Sequence, residues 1–242
     1  MKVAAVIPTY NHADTVLEAA HGILDHYPVT GLVIVDDAST DGTPAVLAEE
    51  FGLGLVESSD DFDTLVGVGD YRHVFHVRLR ARRGPANARN LGVSLLRPRA
   101  DAFALLDSDD LYMPGKIEKS VQILQAYPEV GFVYSDYCTV DPVGRLHPQF
   151  KRPYSMDSLL KECIVNCDSV VRASVFDEAR FPNIRTCEDY GFWLKASRRF
   201  LGWHLAEPLV LIRVGPHSST ATVPAEEWQG NYRKAFEYAG FA

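Results

Sequence analysis

Residues Lys2–Asp37 read KVAAVIPTYNHADTVLEAAHGILDHYPVTGLVIVDD. Two near-continuous apolar runs, KVAAVIP and GLVIVDD, flank a segment whose apolar residues Val16, Leu17, Ala20, Ile23 and Leu24 recur at helical spacing. Runs without alternation are the mark of strands buried on both faces, and a helix between two of them is a crossover joining parallel strands. Asp14 is the expected cap of that helix. The rhythm continues outward. STDGTPAVLAEEF reads as turn and helix, with Thr43 the expected N-cap and Pro44 the first helical residue. HVFHVRL reads as a strand, GPANARNLGVSLL as a helix, AFALLD as a strand and GKIEKSVQILQAY as a helix. This alternation predicts an α/β fold with a mostly parallel central sheet flanked by helices, and a ligand beyond the carboxyl ends of the strands.

Two regions break the rhythm. Glu57–Tyr71, ESSDDFDTLVGVGDY, is acidic and contains glycine, and reads as a long surface loop. From about Gly131 short strand signals (VGFVYSDY, SVVRAS, LVLIRV) mix with helical ones (SMDSLLKEC, CEDYGFWLKASRRF), which predicts a mixed, partly antiparallel extension. The tail PAEEWQGNYRKAFEYAG reads as a helix.

Composition bounds the partners. With 242 residues and 47% apolar content the chain can bury a sizeable core. A net charge of −8 argues against non-specific binding to nucleic acid or anionic lipid, although it does not exclude an anionic ligand held by a few arginines and a metal ion. The four cysteines, Cys138, Cys163, Cys167 and Cys187, form no CxxC pair and have no partner at zinc-site spacing, so free thiols are expected. The opening apolar run is too short for a signal peptide and no stretch approaches the length of a membrane span. A cytoplasmic chain without a transmembrane segment is the expectation.

Polar clusters stand where the strands end. Asp107, Asp109 and Asp110 crowd into LLDSDD; carboxylates so close repel one another unless a cation sits among them. A hard divalent ion takes such oxygen ligands, whereas one aspartate alone would be ordinary at a helix start. Neither acidic window is a calcium loop: from Asp107 the sixth position is Tyr112 rather than glycine, and from Asp37 the twelfth is Ala48. Asp36 and Asp37 close the second strand ahead of a turn-forming STDG, positioned to accept hydrogen bonds from a nucleoside. Arg82, Arg83 and Arg89 bring positive charge beside a helix start, which suits phosphate, although surface arginine is an equal reading for Arg82 or Arg83 singly. Glu188 and Asp189 open an aromatic helix, either as caps or as a carboxylate poised for proton transfer.

In this order, VIPTYNHADTVLEA, VDDASTDGT, GPANARNLG, LLDSDD and CEDYGFW resemble the family 2 glycosyltransferases of the A-type fold, over Val6 to about Trp193. The resemblance implies a Rossmann-like A-type glycosyltransferase fold, one domain over 1–242, with a nucleotide-sugar-binding half (1–130) and an acceptor-binding half (131–242). It implies an inverting, metal-dependent transfer from a UDP-, GDP- or dTDP-sugar to a hydroxyl of a glycan or small-molecule acceptor. Carried over residue by residue, Pro8, Tyr10, Asp37, Arg89 and Asp107 would hold the donor. Asp109 would bind Mn²⁺ or Mg²⁺, and Asp189 would be the catalytic base. His217 would stand by the metal, although its spacing from Arg213 departs from the family pattern and a plain loop histidine fits equally. Two readings stay open beside this one. A nucleotidyltransferase would need a glycine-rich phosphate loop that PTYNHAD lacks, and would release pyrophosphate instead of a nucleoside diphosphate. A non-catalytic sugar-nucleotide or glycan-binding module would not need both DSD and ED. The sugar, base, acceptor and any homo-oligomer are not written in the sequence.

Overall fold

The computed structural model describes residues 1–141, 143–214 and 223–241. The chain divides into two compact units, Met1–Tyr112 and Met113–Ala242. The first holds strands β1 (Val3–Thr9), β2 (Gly31–Asp36), β3 (Gly54–Ser58), β4 (Phe62–Val66), β5 (Val74–Leu79), β6 (Ala102–Leu105) and β7 (Leu111–Tyr112). Its helices are α1 (Val16–Leu24), α2 (Thr43–Phe51) and α3 (Pro85–Leu96). The strand order β3-β4-β5-β2-β1-β6 places β1 and β2 at the centre, and every residue of both is buried. The pairs β5/β2, β2/β1 and β1/β6 are parallel. The chain builds outward from β1 to β5 and returns to β6 on the other side. The order therefore reverses beside β1, where α/β sheets bind ligands. α3 packs close to the sheet because residue 92 is glycine: a Cβ there would lie 2.6 Å from Val6 Cγ1 and 3.1 Å from Val33 Cγ1.

Three local expectations are corrected. Glu57–Tyr71 is not a long loop. It continues the antiparallel hairpin β3–β4, which docks on β5 with Thr64 opposite Val77, and ends in a 3₁₀ turn at Gly69–Tyr71. The acidic residues that read as solvated are paired by arginines that follow β5: Arg80 binds Asp63 at 2.7 Å and Arg83 binds Asp61. The cap of α1 is Thr15 rather than Asp14, and it makes no side-chain cap bond. Val16 N–H instead donates to the His12 carbonyl at 3.0 Å. α2 starts at Thr43 itself, with Gly42 as the cap. The Thr43 hydroxyl is free of cap duty and accepts from His12 N–H at 3.0 Å, tying the exits of β1 and β2 together.

The second unit holds α4 (Lys116–Ala126), β8 (Val130–Val140), β9 (Leu146–Gln149), α5 (Met156–Leu159), β10 (Val170–Arg172), α6 (Val175–Glu178), α7 (Glu188–Ala196), β11 (Leu201–Arg213) and α8 (Ala225–Ala239). The mixed pairing expected from about Gly131 is present: β8 runs parallel to β11 and antiparallel to β9 and β10. α5 is shorter than SMDSLLKEC suggests, one turn capped by Ser155 Oγ, which accepts from Ser158 N–H at 3.0 Å. Trp193 is wholly buried against Phe132 and Phe192, so it belongs to the core. All four cysteines are free thiols. No described helix is long and apolar enough to cross a membrane.

Candidate active site

The carboxyl ends of β1, β2 and β6 carry the polar residues of the first unit. Pro8 is buried in β1 opposite Val35. Val6 C=O accepts from Leu106 N–H, so Val6 and Pro8 both turn their backbone groups toward β6. The β1–β6 pairing ends at Val6↔Leu105, so the missing N–H of Pro8 breaks no ladder bond. The chain then turns at Asn11, in the left-handed region at φ 57. Asn11 N–H donates to Ser39 Oγ at 2.9 Å, and Asn11 Oδ1 accepts from Thr40 N–H at 2.8 Å. PTYN and DDAST are thus one interlocked pair of turns.

The two aspartates at the exit of β2, Asp36 its last residue and Asp37 the next, do different things. Asp36 is wholly buried beside His76 Nε2 at 3.5 Å and accepts from Ser39 N–H at 2.7 Å. Burial alone would raise its pKa, but the adjacent His76 and the hydrogen bonding from Ser39 outweigh that and hold it below the ordinary carboxylate value. Asp36 is a buried anchor of the turn. Asp37 Oδ1 accepts from Arg83 N–H at 2.6 Å and Oδ2 from Gly84 N–H at 2.8 Å. Gly84 caps α3 at φ 87, a conformation that favours glycine. With the loop pinned, the Arg82 guanidinium lies 3.8 Å from the Tyr10 ring centroid and its Nε 3.9 Å from Asp37 Oδ2. Tyr10, Asp37 and Arg82 therefore form one constellation, of which the sequence reading named the first two as donor residues.

Arg89 lies one turn inside α3 and is buried, with its Nη2 2.5 Å from Asp107 Oδ1. Its charge is directed at the end of β6 rather than at solvent. Asp110 N–H donates to Asp107 C=O at 3.1 Å, and this turn brings carboxylate oxygens of Asp107 and Asp110 within 4.8 Å of each other. Asp109 is half-buried between Ser108 and Asp110, which are both buried. The donor set fits a hard divalent cation: the turn offers carboxylate oxygens, and Arg89 stands beside Asp107. Of the three aspartates crowded into LLDSDD, the turn brings Asp107 close to Asp110, while Asp109, the expected metal ligand, is half-buried between Ser108 and Asp110. His12 was missed. Its Nδ1 lies 2.6 Å from Ser108 Oγ and its N–H binds Thr43, so it joins the exits of β1, β2 and β6. No periodicity in the sequence marks such a contact.

In the second unit Asp189 is the second residue of α7, whose cap Cys187 adopts φ 64. Asp189 Oδ1 accepts from Tyr190 N–H at 2.7 Å. Cys163 Sγ sits 3.9 Å from Asp189 Oδ2 and 3.2 Å from the Val165 carbonyl. Burial, then the Asp189 charge, pushes the Cys163 thiol well above its ordinary pKa, so it stays protonated and can donate. Burial likewise raises Cys187 to about 11. His217 lies outside the described residues.

Residues 4–179 match the sequence profile of the family described as Glycosyl transferase family 2. TuaG of Bacillus subtilis (strain 168), named for a glycosyltransferase role in teichuronic acid biosynthesis, is 28% identical over 242 residues, which cover 98% of this chain and 86% of TuaG. S. aureus TarS 1-349 in complex with UDP-GlcNAc aligns with a TM-score of 0.75 at 17% identity, over 98% of this chain and 66% of that one. The mannosyltransferase PcManGT from Pyrobaculum calidifontis, in complex with GDP-Man and Mn²⁺, aligns with a TM-score of 0.67 at 19% identity, over all of this chain and 64% of that one. At such identities the structural likeness speaks to the fold: α/β, a central mostly parallel sheet and flanking helices, as the alternation in Lys2–Asp37 predicts.

Proposed function

The chain belongs to glycosyl transferase family 2 and is a glycosyltransferase, and from that premise we propose that it moves a sugar from a nucleoside-diphosphate sugar to an acceptor hydroxyl with inversion, using a divalent metal. The observation that carries this reading is the convergence, beside the topological switch at β1, of Tyr10, Asp37 and Arg82 with the Arg89-anchored Asp107. Tyr10 and Asp37 would receive the nucleoside, with Pro8 fixing the exit of β1. Arg82 is 63% exposed at its side chain and would meet the diphosphate. Arg89 orients Asp107. Asp109, with Asp107 and Asp110 beside it, would hold Mn²⁺ or Mg²⁺, which when bound supplies positive charge against the departing diphosphate. The PcManGT complex with Mn²⁺ supports that choice of ion.

Asp189 would take the proton from the acceptor hydroxyl as it attacks the anomeric carbon. A single displacement at that carbon inverts its configuration, and the sugar passes through an oxocarbenium-like state as in other glycosyl transfers. Cys163 keeps its proton and cannot compete for that role, which favours Asp189 as the base.

Incubation with UDP-, GDP- and dTDP-sugars and oligosaccharide acceptors, followed by nucleotide analysis and NMR of the new glycosidic bond, tests the reading. Nucleoside diphosphate with an inverted anomeric centre is expected. Pyrophosphate release would make the chain a nucleotidyltransferase. Binding of a donor with no turnover of any would make it a binding module. For the metal, Asp109→Ala should abolish Mn²⁺-dependent nucleoside diphosphate binding, read by calorimetry, while leaving the melting curve intact. Parental affinity in Mn²⁺ would remove Asp109 from the metal site.

A further inference from the structure

His12 follows the exit of β1, yet its side chain belongs to the turn that ends β6. Its Nδ1 lies 2.6 Å from Ser108 Oγ, 96 residues along the chain. The backbone around His12 does not need that contact. Asn11 N–H donates to Ser39 Oγ at 2.9 Å, His12 N–H to Thr43 Oγ1 at 3.0 Å and Ala13 N–H to Asp41 Oδ2 at 3.1 Å. Three consecutive amides are pinned by side chains that follow β2, and the imidazole is left to serve the other loop. For Ser108 the contact matters more. Ser108 is 2% exposed, and among the described residues its hydroxyl has no partner besides His12 Nδ1. A buried hydroxyl that loses its partner costs free energy, so the loop would rearrange to satisfy it. Ser108 stands between Asp107 and Asp109, and Asp110 N–H closes the turn on the Asp107 carbonyl at 3.1 Å. Three carboxylates within four residues repel one another and push such a turn open when no cation sits among them. Arg89 opposes this at Asp107 Oδ1. His12 opposes it from the exit of β1, by holding the residue in the middle.

We propose, on the footing of the divalent-metal reading above, that His12 is a positioning residue for the metal. Through Ser108 it keeps the Asp107–Ser108–Asp109 turn in the shape that receives the ion before the ion arrives. Groups that orient metal-binding side chains without touching the ion act by preorganisation, and their removal weakens metal binding by about 10–100-fold. The effect belongs to metal-assisted binding of the donor. The amides that fix the turn after Tyr10 do not involve the imidazole, so nucleotide binding without metal should be spared.

Affinity of the full chain for UDP, GDP and dTDP is measured by calorimetry in Mn²⁺ and in EDTA. Affinity for Mn²⁺ is read by electron paramagnetic resonance, in the presence of the nucleotide that binds most tightly. His12→Ala should weaken Mn²⁺ binding by about tenfold or more and leave nucleotide affinity in EDTA parental. Ser108→Ala should weaken it as well, and the double variant should lose no more than the worse single one, because the two side chains act as one unit. His12→Asn keeps a polar atom at the place of Nδ1 and should recover most of the loss. A circular dichroism melting curve near parental certifies each fold; if His12→Ala does not fold, Ser108→Ala, which removes a single oxygen, decides. Parental Mn²⁺ affinity in His12→Ala, while Asp109→Ala loses it, overturns the proposal and leaves the metal reading intact. Equal losses in Mn²⁺ and in EDTA overturn it too, since His12 would then shape the whole donor site. A parent that binds no Mn²⁺ overturns the metal reading itself, and the role of His12 falls with it.

Discussion

Asp37 follows β2 directly, with both carboxylate oxygens engaged by backbone donors from the Arg83–Gly84 loop. It holds that loop in place as well as being a candidate to touch the donor. Asp37→Ala leaves those two N–H groups without acceptors and frees the loop that holds Arg82 over Tyr10. Nucleoside diphosphate affinity should fall by roughly 1–3 kcal/mol, the range for leaving buried polar partners unpaired. Calorimetry checks this, and an unchanged affinity would confine Asp37 to the turn. Asp189 is expected to behave otherwise, because a base needs to reach the acceptor hydroxyl and has no reason to hold the nucleotide. Asp189→Asn keeps the shape and the acceptor oxygen for Tyr190 N–H while losing the proton acceptor. It should leave nucleotide affinity near parental and slow transfer by about 10²–10⁴-fold. Affinity lost in step with rate would make Asp189 a donor-site or structural residue.

At the scale of elements, the packing of α3 on β1 and β2 depends on Gly92. A Cβ there would meet Val6, Val33 and Val35 at 2.6, 3.1 and 3.3 Å, all β-branched side chains of buried strands with little room to yield. Gly92→Ala gains helix propensity yet should cost about 1–3 kcal/mol through overpacking, read from the urea midpoint. A stabilised variant would show that α3 can lift from the sheet. The elements themselves were legible wherever one local signal decided them. The apolar runs of β1 and β2, the helical spacing of α1 and the switch to mixed pairing after Gly131 needed no distant partner. What misled was polarity whose compensation lies far along the chain. ESSDDFD reads as loop because Arg80 and Arg83, which neutralise Asp63 and Asp61, come some twenty residues later. Thr43 reads as a cap because nothing local shows that His12 takes its hydroxyl. The site divides in the same way. Asp37, Arg89, Asp107 and Asp189 stand out as candidates by residue type at strand and helix ends, and their roles come from the family resemblance. The Arg82–Tyr10 stack and the His12–Ser108 bond are contacts between distant segments that no spacing records.

For the whole molecule, the response of stability to pH should carry the signature of one buried cation. Lys116 opens α4, is 1% exposed and donates to Ser135 Oγ at 2.9 Å, which in turn donates to the Asp136 carbonyl. Burial lowers its pKa to about 7 from the ordinary 10.5, and the attraction of Asp168 offsets only part of that. In the unfolded chain Lys116 keeps its proton up to about pH 10.5, whereas in the fold it releases it near 7. Between those values the unfolded state binds more protons, so stability rises with pH across that window, and the full cost of burying the charge is felt below pH 7. At about 1.36 kcal/mol per pKa unit, the rise is at most about 5 kcal/mol. Other groups also contribute to the pH response of the parent, so the informative quantity is the difference from Lys116→Met. That variant removes the titration but leaves Asp168 buried without its cation, and it is expected to be less stable than the parent at neutral pH. Its curve should lack the rise. The gap in urea stability, measured at steps from pH 7 to 10.5, should therefore widen in favour of the parent as pH increases. Parallel curves would mean that Lys116 keeps its proton throughout, held by Asp168 more firmly than burial opposes it.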